Sequence, residues 1–326
     1  MKHSRYSSFA ITAALALGMA GILSAQTYTY TTFTIPEAAP ATQGSLAANG
    51  INNAGDTSGY LTDSSGNLKG WVRGTTGGIL YLVDPLDTTT PTYSPSYKIN
   101  DYGNVVGIFN DTAAASYPGY LYNVTNRTYY TINLPGEPAG SFTFVEGLND
   151  RDQICGGVAA PPNYVYQAFL DLTGTTIIVP LPSNTGAYCG AVNDYGVAVG
   201  WYTDSNGVNH GWVRNPSTGT VTTFNAPGAS TVPGPVTCVG TTAGTIPYGI
   251  NDSEEISGHF FDTSNLEHGF VISGGRFTQL DVPGAIQTGG GGINASGQVV
   301  GHHVTDSACD NAVFIATPGA IASPRQ

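Results

Sequence analysis

The chain has 326 residues, with 10 lysines and arginines against 22 aspartates and glutamates, and a net charge of −12. That acidic surplus argues against nucleic acid and anionic membranes as partners, since both select basic surfaces. Only 10% of residues are charged while 44 are glycine and 19 tyrosine, a composition that suits short strands and tight turns and starves amphipathic helices.

Residues 1–25 carry Lys2 and Arg5, then an apolar run from Phe9 to Leu23, then Ser24 and Ala25. This is the pattern of a secretory signal peptide. The run is too short and too alanine-rich for a membrane span, and no later stretch approaches the ~18 consecutive apolar residues that a spanning helix needs. The mature protein is expected to be secreted, extracellular or periplasmic, not inserted in a membrane, and monomeric. Loss of Lys2 and Arg5 takes its net charge from −12 to −14.

The stretch from Tyr28 to Pro36 reads as a strand without a unit of its own. Beyond it the chain is a repeat. An asparagine preceded by an aliphatic residue recurs at Asn52, Asn100, Asn149, Asn193, Asn251 and Asn294, at intervals of 48, 49, 44, 58 and 43 residues. Seven places later stands a glycine: Gly59, Gly107, Gly156, Gly200, Gly258 and Gly301. Such periods match a propeller blade. In the fifth copy, strand A is expected from about Ile246 to Asn251, B over Glu255 to Phe261, C over His268 to Ile272 and D over Arg276 to Val282, where Pro283 ends the ladder. Strand C repeats as Gly70-Trp71-Val72, Gly119-Tyr120-Leu121, Ala168-Phe169-Leu170, Gly211-Trp212-Val213, Gly269-Phe270-Val271 and Ala312-Val313-Phe314, its aromatic expected to pack between blades. The sixth copy lacks strand D and the stretch from Tyr28 lacks strands A to C, so the two fragments complete each other. The expected fold is all-β: a six-bladed β-propeller with four-stranded blades, closed by an N-terminal strand completing the last blade. The domain is expected over 26–316, with 317–326 a C-terminal tail.

The blocks from Gly249 to Ala285, partly repeated from Gly292 to Gly301, resemble the secreted bacterial HAF-repeat proteins, named for a His-Ala-Phe tripeptide. The resemblance covers nearly all the mature chain and attaches no catalytic residue to it. The tripeptide stands here as His210-Gly211-Trp212, His268-Gly269-Phe270 and Gln167-Ala168-Phe169, with Lys69 and Pro118 replacing the histidine elsewhere. That histidine is therefore not required in every blade.

The recurring Asn-Asp-x-Gly reads as a turn in which Gly55, Gly103, Gly196 and Gly297 supply positive φ. Asp101, Asp150, Asp194 and Asp252 give one carboxylate per blade, too sparse for the 6 to 8 oxygens of a calcium cage. A second set, Asp63, Asp111, Asp204 and Asp262, lies in the B-to-C loops beside turn-forming residues. His302 and His303 are consecutive on a strand and point to opposite faces, so they cannot share one ion. No metal or cofactor is expected. The run from Gly289 to Gly292 lacks the strand-to-helix context of a dinucleotide loop and reads as a loop entering strand A.

At the exit of strand B, Tyr60, Trp201, His259 and His302 share one repeat position, with Tyr202 following Trp201. With Asp204 and Asp262 they form the candidate ligand site, at the face made by the B-to-C and D-to-A loops. The expected role is non-catalytic binding of an extracellular glycan or protein. A polysaccharide hydrolase or lyase using carboxylates and histidines at that face is the alternative, and a passive surface or matrix protein a third. Four cysteines in an exported chain are expected to pair. Cys155 and Cys189 sit at similar depth in adjacent blades, and Cys238 and Cys309 in loops of one face, which selects Cys155–Cys189 and Cys238–Cys309.

Overall fold

The computed structural model describes residues 26–38, 46–84, 92–182, 185–234, 243–306, 309 and 311–319. The signal-peptide segment 1–25 and Cys238 lie outside these. Within them each repeat becomes an antiparallel four-stranded sheet in the order A-B-C-D, and the described residues contain no helix. In the fifth repeat the strands are Gly244–Ile250, Ile256–Phe261, Glu267–Ser273 and Arg276–Leu280, within about two residues of expectation. Short parallel pairings, Leu68 with Tyr93, Tyr117 with Phe142 and Asn209 with Gly244, tie the start of strand A, or the connection leading to it, to the entry of strand C in the repeat before it.

The N-terminal strand Tyr28–Phe33 pairs antiparallel with Asn311–Pro318, Phe33 opposite Val313 and Tyr28 opposite Pro318. It thus becomes strand D of the sixth sheet. Because Thr29 and Tyr28 offer ladder partners, Thr317 and Pro318 belong to the sheet and not to a tail. The expected boundary after residue 316 moves accordingly.

Strand C aromatics hold neighbouring sheets together. Trp71, Tyr120, Phe169, Trp212, Phe270 and Phe314 are all fully buried, and each packs against the repeat before it. Trp71 shares a hydrophobic cluster with Val300 and Val313 of the sixth sheet, Trp212 with Leu170 of the third, and Phe314 with Val271 and Leu280 of the fifth. Burial of such a side chain contributes about 1.5–3 kcal/mol, and here it also fixes the angle between sheets. The recurrent glycine of strand B follows from the same packing. A Cβ at Gly59 would come within 2.7 Å of Trp71 Cζ2, and one at Gly200 within 2.7 Å of Trp212 Cζ2. In every repeat a strand A carbonyl stands closer still, that of Ala47 at Gly59 and that of Tyr188 at Gly200 for example, so carbonyl and ring together leave no room for a side chain. The resulting circle of sheets around one axis is a β-propeller.

Every strand A carries a β-bulge, between Ala48 and Gly50, Ser96 and Ile99, Val145 and Gly147, Cys189 and Ala191, Pro247 and Gly249, and Gly290 and Ile293. Bulges re-aim side chains, and strand A is the innermost strand. The bulge position, three residues before the repeat asparagine, holds Asn49, Tyr97, Glu146, Gly190, Tyr248 and Gly291. One disulfide, Cys155–Cys189, joins strand B of the third sheet to strand A of the fourth, with Cα atoms 5.5 Å apart. Cys309 is disulfide-bonded as well; its expected partner Cys238 lies outside the described residues.

Candidate functional site

The channel around the axis has two unlike ends. At the end formed by the A–B turns, each repeat asparagine does two jobs. Its Oδ1 accepts the backbone N–H groups of its own turn, as from Tyr195 and Val197 to Asn193 at 3.1 and 3.0 Å. Its Nδ2 donates to the carbonyl of the next repeat's asparagine. The donations run from Asn52 to Asn100, Asn149, Asn193, Asn251 and Asn294 and back to Asn52, at 2.9–3.3 Å. Aspartate could cap the turn but could not donate, so the ring needs asparagine. Outside it runs a second ladder: the N–H of Asn53 donates to Asp101, that of Asp101 to Asp150, of Asp150 to Asp194 and of Asp194 to Asp252. These carboxylates are occupied by backbone donors. Burial and the neighbouring carboxylates push Asp150 up to about 6.

At the other end, a cavity of about 210 Å³ is lined by Leu46, Asn49, Tyr60, Tyr248, His259, Phe261, Glu267, His302 and Asn311 among others. First residues of strands A and C and last residues of strand B place it toward the B-to-C and D-to-A loops. Glu267 is 2% exposed and lies between two imidazoles, 3.2 Å from His302 Nε2 and 3.5 Å from His259 Nδ1. Burial would raise Glu267, but His302 and His259 outweigh it and hold the carboxyl below its ordinary value. Burial likewise opposes the charge on His302, and Glu267 overcomes it, so this imidazole is pushed up. For His259 burial wins and the pKa falls; its approach to Glu267 is a polar contact, and the ion pair is His302–Glu267. The glycines of the sixth strand A make room for this cluster. A Cβ at Gly289 would lie 2.5 Å from Glu267 Oε1 and 2.6 Å from His302 Nε2. The run Gly289–Gly292 is therefore strand A itself, within Gln287–Ile293, and not a loop leading to it.

Deeper in the channel lie Lys98 and Glu146. Lys98 Nζ donates to the Asn49 carbonyl at 2.5 Å and stands 5.7 Å from the centre of the Tyr248 ring. Glu146 is 5% exposed, and its Oε2 is buried without a hydrogen-bond partner. It occupies the strand A bulge position that in the first and fifth repeats holds Asn49 and Tyr248, both of which line the cavity, and its charge adds to burial in pushing up the phenols of Tyr60, Tyr97, Tyr188 and Tyr248 from four different repeats. Burial raises Glu146 to about 8 and lowers Lys98 to about 7.

Of the residues singled out in the sequence, Tyr60, His259 and His302 meet at the cavity. Trp201 is one repeat away, 8% exposed, stacked on Tyr188 and tilted against Tyr248 over the space left by Gly190. It is a wall behind Tyr248. Tyr202, on the opposite face of the same strand, belongs to the core between the third and fourth sheets and stacks on His210. Asp204 and Asp262 cap the B–C turns, accepting from Asn206 and Val208 and from Ser264 and Leu266. Their second oxygens face His210 at 3.2 Å and His268 at 3.5 Å, and Asp63 does the same with Lys69 at 2.6 Å. The tripeptide histidine thus clamps a turn, and lysine substitutes for it. His303 turns away from His302 and packs on Phe314. Glu146 and Glu267 were not singled out. The signal was present: each is a carboxylate where the other repeats hold neutral residues, Asn49 and Gly190 at one position and Leu68 and Asn209 at the other.

No protein-family model matches the chain, and no curated protein matches it. Solved structures do. The chain resembles a triple arginine-to-alanine mutant of AofleA from Arthrobotrys oligospora, at 10% identity and a TM-score of 0.52, over 91% of this chain and 91% of that one. It resembles an asparagine-to-glutamine mutant of Aleuria aurantia lectin in complex with Fucα1-6GlcNAc, at 9% identity and a TM-score of 0.51, over 89% of this chain and 97% of the lectin. A match to TolB from Acinetobacter baumannii has 12% identity and a TM-score of 0.49, covering 81% of this chain and 64% of TolB. At such identities the likeness concerns the fold. No helix among the described residues is long and apolar enough to cross a membrane, and the Cys155–Cys189 disulfide fits an oxidising compartment.

Proposed function

We propose that this is an exported six-bladed β-propeller of the HAF-repeat kind that binds an extracellular glycan in the channel-end cavity without transforming it. The six-membered asparagine ring supports the blade count, and the pattern of residues 1–25 together with the disulfide supports export. The observation that carries the binding reading is the cavity's lining: the rings of Tyr60, Tyr248 and Phe261 beside the polar groups of Glu267, His302 and Asn311. Flat apolar rings next to convergent hydrogen-bonding groups suit a ligand with apolar faces and hydroxyl edges, which is what a sugar presents. Glu267 is engaged by two imidazoles and serves the site as a fixed acceptor. The fold shared with a lectin is compatible with this reading and does not decide it.

One observation favours the hydrolytic alternative. Glu146 is held protonated and Glu267 ionised around one channel, and carboxyls driven apart in this way are how acid and base roles divide. Incubating the mature protein with immobilised glycans separates the readings. Retention with the glycan recovered intact supports binding, newly released reducing ends support hydrolysis, and the absence of both favours a passive structural role.

A further inference from the structure

The inner channel is a blind recess. At one end the asparagine side chains form a ring around the axis, each donating to the backbone carbonyl of the next repeat's asparagine at 2.9–3.3 Å, and the hollow of about 100 Å³ there shares no lining residue with the cavity. A ligand in the cavity must therefore enter and leave by the same mouth. A polymer lying across that mouth could not bring an internal residue to the floor, whereas a chain end could. At about 210 Å³ the space is below the roughly 300–1,000 Å³ of sites for drug-sized ligands and suits one small ring.

The floor specifies the chemistry further. Glu146, 5% exposed with one carboxyl oxygen unpartnered, sits among phenol hydroxyls, of which those of Tyr60 and Tyr248 belong to residues that also line the cavity. A buried oxygen without a partner costs stability unless something bonds to it. The floor's other ionisable group, Lys98, is already committed to the Asn49 carbonyl. Burial pushes both groups toward their neutral forms, Glu146 up and Lys98 down, and with Lys98 held by the Asn49 carbonyl a charged ligand group buried there would meet no disengaged counter-ion, which is unfavourable. The only ionised carboxylate among the lining residues named above, Glu267, is neutralised by His302.

Resting on the glycan reading, we propose that the cavity takes the terminal residue of a glycan end-on, as an uncharged sugar ring whose hydroxyls bond to the Glu146 carboxyl and the Tyr60 phenol at the channel floor. Tyr248 supplies the flat face beside it. The recognition is of an end and of a neutral residue, not of a polymer's length or charge.

The test uses saturation-transfer NMR on the mature protein with free D-glucose, D-galactose, D-mannose, L-fucose and N-acetyl-D-glucosamine, with D-glucuronic and D-galacturonic acids as anionic counterparts, and with maltoheptaose against the end-less β-cyclodextrin. At least one neutral free sugar is expected to bind, with the uronic acids at least tenfold weaker and the cyclic glucan no better than background. Glu146→Leu is expected to weaken that binding at least tenfold. Should this variant not fold, Tyr60→Phe, which removes one hydroxyl, decides with an expected loss of about threefold or more. Tyr102→Ala, 66% exposed at the opposite end of the channel, is expected to change nothing. Retention on immobilised glycans that no free sugar competes, or equal binding of cyclic and linear glucans, overturns end-on recognition and leaves the glycan reading standing. Failure of every carbohydrate to bind overturns both.

Discussion

The two ends of the channel are built from the same six strands, yet they obey different rules. At the A–B turn end the asparagine is identical in every repeat, and its hydrogen bonds repeat with it. At the cavity end the bulge position runs through asparagine, tyrosine, glutamate, glycine, tyrosine and glycine. Uniformity in a repeat marks what the ring of sheets needs in order to close. Diversity at a position that geometry makes equivalent marks where closure makes no demand and a ligand can. Variants at the two ends should therefore fail differently, and three measurements test that.

The largest effect is expected at the cavity end, from pH. Glu146 at about 8 against an ordinary 4.5 keeps its proton in the folded chain after the unfolded chain has released it. Its contribution to stability is complete below about pH 4.5 and is lost as pH rises through 8. Lys98, at about 7 against 10.5, acts in the opposite sense; its contribution is complete above about 10.5 and is lost as pH falls through 7. Glu146→Gln removes the first dependence while keeping shape and hydrogen bonding. Its unfolding free energy, measured in urea, should gain on the parent from pH 5 to 8, at up to about 1.4 kcal/mol for each unit. Parallel profiles for the two proteins would contradict a buried, protonated Glu146.

That much of this arrangement was legible in the sequence, and that part was not, has a physical cause. Elements specified by local chemistry came through: the asparagine turns, the closing strand, the strand C aromatics packed between sheets and the Cys155–Cys189 pair. These rest on period, turn residues and burial, which act over a few residues or recur at a fixed spacing. The cavity is different, because its lining comes from the first, fifth and sixth repeats, which meet only in the fold. Tyr60, His259 and His302 were reachable because they share one position after the strand B glycine. Trp201 and Tyr202 show the limit: adjacent side chains on a strand point to opposite faces, and Tyr202 went to the core between sheets. Glu146 sits on a bulge, and a bulge shifts the alternation that would otherwise tell inward from outward.

At the uniform end, an intermediate effect is expected from Asn193→Asp. The new side chain can still accept from Tyr195 and Val197, so the turn survives. It cannot donate to the Asn251 carbonyl, 3.1 Å away, and it brings a carboxylate oxygen against that carbonyl at a site 3% exposed. Leaving one buried group unpaired costs about 1–3 kcal/mol. Denaturation should show a lower midpoint at neutral pH, with sugar binding at the far end unaltered in whatever protein remains folded. An unchanged midpoint would mean that the ring bond contributes nothing to closure.

The smallest effect is a gain, and it separates the two ends most cleanly. Three residues after each asparagine the turn passes through positive φ, at Gly55, Gly103, Gly196 and Gly297, but the third repeat holds Asp152 there with φ of 55°, where its carboxylate accepts from Asn104 Nδ2, and the fifth holds Glu254 with φ of 60°. A side chain in that region strains the backbone by about 1–2 kcal/mol relative to its ordinary conformation. Glycine is free of that strain but loses more entropy on folding, by roughly 0.5–1 kcal/mol. Glu254 is exposed, and its backbone N–H bonds only the Asn251 carbonyl of its own turn, so nothing offsets the strain. Restoring the repeat with Glu254→Gly should therefore stabilise by about 0.5–1 kcal/mol, read as a higher melting temperature with unchanged ligand affinity. Loss of stability would show that the turn tolerates glutamate without strain. Regularising the cavity end should do the reverse: Tyr248→Gly, which copies the glycines of the fourth and sixth repeats, would remove a ring that Trp201 and Lys98 pack against and that the ligand would meet. Departure from the repeat is a defect where the ring closes and a working part where the cavity opens.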